Sequence, residues 1–308
     1  MRVAVIGVGH LGRHHARILA AMPDVELVGV VDTNLQRARE IAETHGTAAV
    51  DDATTLVGAV DAVVVATPTA SHRAVALPFL EAGTAVLIEK PLARTLSEAD
   101  EIIAAAARSG ATLAVGHTER FNPAFVAARS RLTAPRFIEG HRLGTFPDRS
   151  LDIDVVFDLM IHDIDVVLAT VDSPVSAIDA VGVPVLTPRF DIANVRLRFE
   201  NGCICNLTAS RISRDRTRKI RFFQPESYVA IDFAAQELEM WRLVRPPAGM
   251  PAIEGGPVAV DHGEPLAREL EDFLAAIREG RPATVTGAAG RQALELAQRI
   301  TEQMTSVR

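Results

Sequence analysis

Asp158 and His162 stand four residues apart, a spacing that brings both onto one face of a helix. The helix predicted around them, 153–171, is otherwise apolar, with Val155, Val156, Phe157, Leu159, Met160 and Ile161. An acid and an imidazole in such company need a partner or a task. Two readings fit: an internal hydrogen bond, or a general base, since an imidazole titrates near neutral pH. Asp163 and Asp165 would allow a metal site, but no second histidine cluster accompanies them, and no metal is expected. Lys90 is the other candidate. It follows an apolar run and precedes Pro91, which holds its backbone extended and so limits where its side chain points. At the end of a strand beside a bound cofactor it can polarise a substrate hydroxyl; alone it is a loop lysine.

The element that gives these residues a cofactor opens the chain. Val3 to Ile6 is an unbroken apolar run, as expected of a strand buried on both faces. Gly7-x-Gly9-x-x-Gly12 follows, then Ala16, Leu19 and Ala20 at helical spacing, then a second apolar run ending in Asp32. The glycines permit a tight turn, close approach of a pyrophosphate, and close packing of helix on strand, while the helix start offers free N–H groups. Asp32 lies where a carboxylate takes both ribose hydroxyls, which predicts NAD rather than NADP. Arg37 and Arg39 are near enough to leave the phosphorylated cofactor open. The turn itself, Gly7, Gly9, His10, Leu11 and Gly12, is the predicted phosphate cradle.

Strand and helix alternate through the first 120 residues. Further apolar strands end at Thr67-Pro68, at Glu89-Lys90 and at Gly116-His117. The pattern predicts an α/β fold, a Rossmann doubly wound parallel sheet, with ligands outside the carboxyl ends of its strands. Asp32, Thr67, Lys90 and His117 are therefore expected around one crevice. His72, just after Thr67-Pro68-Thr69, is a candidate cofactor contact. His14 and His15 read as surface or phosphate-edge residues.

From residue 136 most segments read as strands: 136–145, 176–185, 194–199, 203–210, 219–223, 228–233 and 237–244. Asn201-Gly202 signals a hairpin. The prediction is a second domain, 121–308, of α+β type with a large, mostly antiparallel open sheet. Residues 245–263, rich in Pro and Gly, read as a loop, and two helices close the chain. Arg211, Arg214, Arg216, Arg218, Lys219 and Arg221 form a basic cluster. It reads as a solvated hairpin or subunit contact, with attraction of an anionic substrate such as a diphosphate as the functional alternative.

Composition sets outer limits. The 308 residues are 48% hydrophobic and 23% charged, which is globular. The net charge of −7 argues against nucleic acid or an anionic membrane as the main partner. Because residue 3 already belongs to a strand, no signal peptide is expected, and the fold is expected in the cytoplasm. The two cysteines, Cys203 and Cys205, read as buried reduced thiols.

Five motifs together resemble the Gfo/Idh/MocA family of oxidoreductases: GVGHLG at 7–12, ATPTASH at 66–72, EKPLA at 89–93, VGHTERFNP at 115–123 and DLMIHDID at 158–165. The likeness spans nearly the whole chain. It implies an NAD-dependent dehydrogenase acting on a secondary hydroxyl, with an N-terminal dinucleotide domain, residues 1–120, and a C-terminal domain that often builds homodimers or homotetramers. By that likeness Lys90, Asp158 and His162 are the catalytic residues, with His162 as base, Lys90 on the reacting oxygen, and Asp158 orienting Lys90 or the substrate. Thr67, Pro68, His72, Glu89 and Lys90 join the cofactor contacts, and Arg120, Asn122 and Arg142 are substrate candidates. One departure is visible: DIDVVF precedes Asp158 where the family often has glycines. Two stretches, 150–168 and 209–228, look like the nucleotide-sugar branch that oxidises C3 of UDP-N-acetylglucosamine and works with an aminotransferase. Other polyol or inositol dehydrogenases, and regulators that bind NAD without catalysis, are the remaining family alternatives.

Overall fold

The computed structural model describes residues 1–146, 153–246 and 250–306. The chain divides into two compact units.

The first unit comprises Met1–His117 and Leu266–Leu294. Its sheet contains β1 (Arg2–Ile6), β2 (Glu26–Val31), β3 (Ala48–Ala49), β4 (Ala62–Val65), β5 (Ala85–Glu89) and β6 (Leu113–Gly116). All pairs are parallel, in the order β3-β2-β1-β4-β5-β6, the doubly wound arrangement predicted. Every residue of β4 and β5 is buried, which is why Ala62–Val65 and residues 85–88 are apolar without alternation. The intervening helices are α1 (Gly12–Ala21), α2 (Leu35–His45), α3 (His72–Glu81) and α4 (Leu96–Ser109). Local signals delimit them. Asn34 caps α2 by accepting the Arg37 N–H, and Gly46, at φ 65°, ends it in the left-handed region. Thr95 caps α4, and Gly110 ends it in the same way.

The second unit comprises Thr118–Pro265 and Glu295–Arg308. Asn122 caps α5 (Pro123–Arg129), with Pro123 in its first turn. Then come β7 (Phe137–Leu143), a π-helical turn at Val156–Met160, and α6 (Ile161–Leu168). The sheet is completed by β8 (Val175–Val183), β9 (Ile192–Phe199), β10 (Ile204–Ser210), β11 (Thr217–Gln224), β12 (Ser227–Asp232), β13 (Glu237–Val244) and β14 (Ala252–Val258). Its order is β14-β13-β12-β11-β7-β10-β9-β8, antiparallel except for β7 with β10. Asp152, in the departing DIDVVF stretch, lies outside the described residues.

Two expectations need correction. Residues 245–263 are not all loop: β14 pairs with β13. Its Gly255-Gly256-Pro257 composition disguised it, but a Cβ on Gly255 would sit 2.0 Å from the Met240 carbonyl oxygen, so the pairing itself demands glycine. The second concerns the domain division at 120/121, which assigned all later residues to the second domain. In the structure α7 (Pro265–Glu279) sends Leu270, Phe273, Leu274 and Ala276 into the core around Val3, Val5, Leu19 and Val30 of the first unit. Each such fully buried Leu or Phe contributes about 1.5–3 kcal/mol. The final helix, α8 (Gly287–Ser306), starts in the first unit, and its residues from Glu295 belong to the second. Among the described residues no helix is long and apolar enough to cross a membrane.

Candidate functional site

In the first unit the glycine turn is built as the spacing requires. Gly7 sits at φ 87°, and a Cβ there would meet the Ala66 carbonyl oxygen at 2.7 Å. A Cβ on Gly12 would lie 1.7 Å from the Gly7 carbonyl oxygen, so helix and turn touch backbone to backbone. A Cβ on Gly9 would instead point into open space, with only Arg37 Nη1 within 4 Å, at 3.9 Å. No side chain caps α1 at Leu11, and His10 is exposed beside it. An open cradle in front of an uncapped helix start fits the pyrophosphate of a dinucleotide.

Asp32 ends β2 beside this cradle. Its Oδ2 accepts the Val8 N–H at 3.0 Å, and its Oδ1 accepts the Asn34 N–H at 2.8 Å. These two bonds fix the carboxylate and leave lone pairs for ribose hydroxyls. Arg37 lies 3.5 Å from Oδ2, so a cation stands beside the acid. At the end of β4 the Thr67 hydroxyl oxygen is buried with no partner among the described residues, while Pro68 is exposed.

Lys90 is partly exposed after β5 and is joined to Pro91 by a cis peptide. His72, a candidate cofactor contact, is placed as a brace. It is 1% exposed, with Nε2 2.9 Å from the Thr67 carbonyl oxygen and Nδ1 3.1 Å from that of Pro91. Burial lowers its pKa and outweighs the carbonyls that favour the charged ring. It therefore ties the loop after β4 to the turn holding Lys90.

Glu89 and His15 pair in the interior of the first unit. Glu89 is 5% exposed and turned inward, with Oε1 2.7 Å from His15 Nε2 and Oε2 accepting the Lys90 N–H at 3.3 Å. His15 is fully buried rather than at the surface. Burial raises the Glu89 pKa, but the His15 hydrogen bond and charge outweigh this and hold it below the usual carboxylate range. Glu269 of α7 brings a carboxylate into the same buried group, with ligand-type atoms of all three within 4.8 Å. Sequence reasoning missed Glu269 because nothing local marks it.

In the second unit Asp158 lies within the π-helical turn and His162 in the first turn of α6. Both are half-buried. A π turn advances the chain by slightly less angle per residue than an α turn, so the pair still shares a face; such turns gather at functional sites. Asp163 and Asp165, just beyond His162, are buried and paired. Arg142 on β7 donates to both oxygens of Asp163, at 2.9 and 2.8 Å, and to Glu119 at 2.8 Å. Burial favours a neutral Arg142, but Asp163 and Glu119 outweigh it and raise its pKa, so the guanidinium stays charged. Arg120 Nη1 lies 3.4 Å from Asp165.

This arrangement places two of the substrate candidates inside the second unit. Arg142 is 3% exposed and donates to Asp163 and Glu119. Asn122 is 2% exposed; its oxygen caps α5 and its amide donates to Glu119 and to the Phe233 carbonyl oxygen. Both side chains thus serve partners within the second unit. Arg120, 8% exposed along its side chain, belongs to the same lattice. Together they fix the segment that carries His162. Cys203 and Cys205 are buried and free, with burial pushing the Cys203 thiol up to about 11.

Comparison with known proteins finds relatives for both units. A family described as "Oxidoreductase family, NAD-binding Rossmann fold" matches residues 1–117, and "GFO/IDH/MocA C-terminal domain" matches residues 126–226. The chain is 41% identical to UDP-N-acetylglucosamine 3-dehydrogenase of Acidithiobacillus ferrooxidans over 96% of its own length and 95% of the relative's. It is 27% identical to scyllo-inositol 2-dehydrogenase (NAD(+)) of Bacillus subtilis over 69% of its length and 68% of that enzyme's. A solved structure of the Acidithiobacillus enzyme superposes with a TM-score of 0.93 at 39% identity, covering 99% of this chain and 98% of that one. Levoglucosan dehydrogenase in complex with NADH shares the fold, with a TM-score of 0.89 at 21% identity over 99% and 97% of the two chains.

Proposed function

The chain belongs to the Gfo/Idh/MocA family of NAD-binding oxidoreductases, and from that premise we propose that it oxidises the C3 hydroxyl of UDP-N-acetylglucosamine to the 3-keto sugar. The observation that carries this reading is the near full-length likeness to the Acidithiobacillus enzyme. Bound NAD supplies the hydride acceptor. His162 takes the hydroxyl proton as general base. Lys90 hydrogen-bonds the same oxygen and stabilises the alkoxide charge as it develops. Asp158, on the face of His162, orients the substrate. Gly7, Gly9 and Gly12 seat the pyrophosphate, and Asp32 takes the adenosine ribose hydroxyls, which favours NAD over NADP.

The same reading extends to context. A 3-keto product is an aminotransferase substrate, so such an enzyme is the proposed pathway partner, in the cytoplasm. Homo-oligomerisation is supported by an aromatic row: Phe137, Phe223, Tyr228 and Trp241 are successive cross-strand neighbours from β7 to β13. Phe223 and Trp241 are 37% and 40% exposed, an apolar face suited to a second copy.

The test is NADH formation by purified protein with NAD and UDP-N-acetylglucosamine, with a 3-keto-sugar aminotransferase and glutamate drawing off product. NADH growth is expected. No growth, in protein that binds NAD, would reject this substrate. Free inositols are the second reading, favoured by the likeness to inositol dehydrogenases, and would be assayed next.

A further inference from the structure

The basic cluster at 211–221 separates into two groups once folded. Arg211 is 1% exposed and spends its guanidinium on Asp191, Thr187 and the Ile153 carbonyl oxygen, bracing the entry to the His162 segment. Lys219 pairs with Asp232 at 3.0 Å and Arg221 with Glu139 at 2.9 Å. These two, with Phe223, occupy one face of β11, since alternate residues share a face.

Arg214, Arg216 and Arg218 are the remainder. All three are exposed, and among the described residues none forms an ion pair with an acid. Arg216 makes a 3.4 Å bond to the Thr145 hydroxyl and leaves its charge uncompensated there. Arg218 occupies the other face of β11, with buried Ile220 and Phe222. Its register partner on β7 is Arg142, the residue that clamps Asp163 beside His162. The charge of Arg218 also bears on the Asp163 carboxylate. Arg218 therefore stands where the covered side of the sheet opens to solvent, one strand from the clamp behind the candidate base.

We propose that Arg218, with Arg216 and Arg214 on the adjoining loop, forms the anion-binding side of the substrate site and takes the diphosphate of a nucleoside-diphosphate sugar. This deepens the nucleotide-sugar reading above and rests on it. In such a substrate the sugar ring separates the reacting hydroxyl from the phosphates, so the anion contact belongs near the base and not on it. Guanidinium groups suit the task, because each presents paired N–H donors to phosphate oxygens. Arg142 is buried and engaged by Asp163 and Glu119, which leaves the exposed arginines for this task.

UDP itself is the probe. Its dissociation constant is measured by calorimetry in the wild type, Arg218→Gln, the Arg216→Ala/Arg218→Gln pair, and Lys219→Ala as a control on the opposite face. Melting temperatures verify folding, which substitutions at exposed positions are expected to preserve. Loss of one charge-assisted phosphate contact predicts about tenfold weaker UDP binding in Arg218→Gln, more in the pair, and about wild-type binding in Lys219→Ala. Unchanged UDP binding in the folded pair, or no UDP binding by the wild type, overturns the proposal. Turnover of UDP-N-acetylglucosamine separates it from the function proposed above. Turnover with unaltered KM in the pair sinks the arginine site and leaves the substrate standing. UDP held through these arginines without turnover does the reverse.

Discussion

Arg142 and Asp163 meet through two parallel hydrogen bonds of 2.9 and 2.8 Å, and Asp163 is the residue immediately after His162. The candidate base thus sits on a segment tied to the sheet by a buried, bidentate ion pair. Removing one partner leaves the other charge buried and alone, which costs about 3–5 kcal/mol. Arg142→Ala is expected to lower the melting temperature sharply. Asp163→Asn in the Arg142→Ala background should recover part of that loss, because the stranded carboxylate is then gone. A double-mutant cycle by thermal melting measures both; additive losses would contradict the pairing.

Gly12 is the most restrictive position of the cofactor cradle. A methyl group there would overlap the Gly7 carbonyl oxygen, so Gly12→Ala must push helix and turn apart. The expectation is at least about tenfold weaker NADH binding, read by fluorescence titration, because the N–H groups no longer converge on the phosphates. Gly46→Ala is the comparison, since it caps α2 at φ 65° with no atom near its Cβ. It should cost about 1 kcal/mol of stability through backbone conformation alone and leave NADH binding intact.

Asp32 and Arg37 together set the cofactor choice. The acid repels a 2′-phosphate, while the guanidinium 3.5 Å away would welcome one. The wild type should therefore prefer NAD, and Asp32→Ser should narrow that preference by raising kcat/KM with NADP. Adding Arg37→Ala to Asp32→Ser should reverse the gain. Steady-state kinetics with both cofactors decide it, and a preference unmoved by either change would contradict the assignment.

Asp191 makes the second unit sensitive to acid. It is wholly buried. Burial pushes its pKa up, but N–H groups of Leu186 and Thr187, the Thr187 hydroxyl and Arg211 outweigh this and hold it well below the usual range. A carboxylate depressed on folding stabilises above its unfolded pKa of about 3.9, and that contribution is lost as pH falls through the folded value. Asp191→Asn should therefore be less stable than wild type at neutral pH, with the gap narrowing below about pH 4. Melting temperatures against pH provide the comparison, and a constant gap would remove Asp191 from the acid response.

The parts legible in the sequence are those whose partners lie nearby along the chain. Gly7, Gly9, Gly12 and Asp32 fall within a single strand–turn–helix–strand unit, so their spacing carries the geometry. Asp158 and His162 keep a shared face even though the helix begins with a π turn. What the sequence could not show depends on distant partners. His15 read as a surface or phosphate-edge residue because Glu89, 74 positions away, is invisible at its own locus. The internal bonds of Arg142 and Asn122 were hidden because Asp163 and Phe233 lie 21 and 111 positions away from them. Arg211 and Arg218 looked alike, and only Asp191 and the β7–β11 register separate a buried brace from an exposed cation.

The central claim is that His162 is the base of a nucleotide-sugar dehydrogenase. Its most direct test is kcat/KM for UDP-N-acetylglucosamine against pH, in wild type and His162→Ala. The wild-type rate should rise through the region where an imidazole loses its proton. The variant should lose about 10²–10⁴-fold, and with it that rise, while NADH affinity stays as in the wild type. A variant that turns over near the wild-type rate, or keeps the same pH rise, would contradict the account.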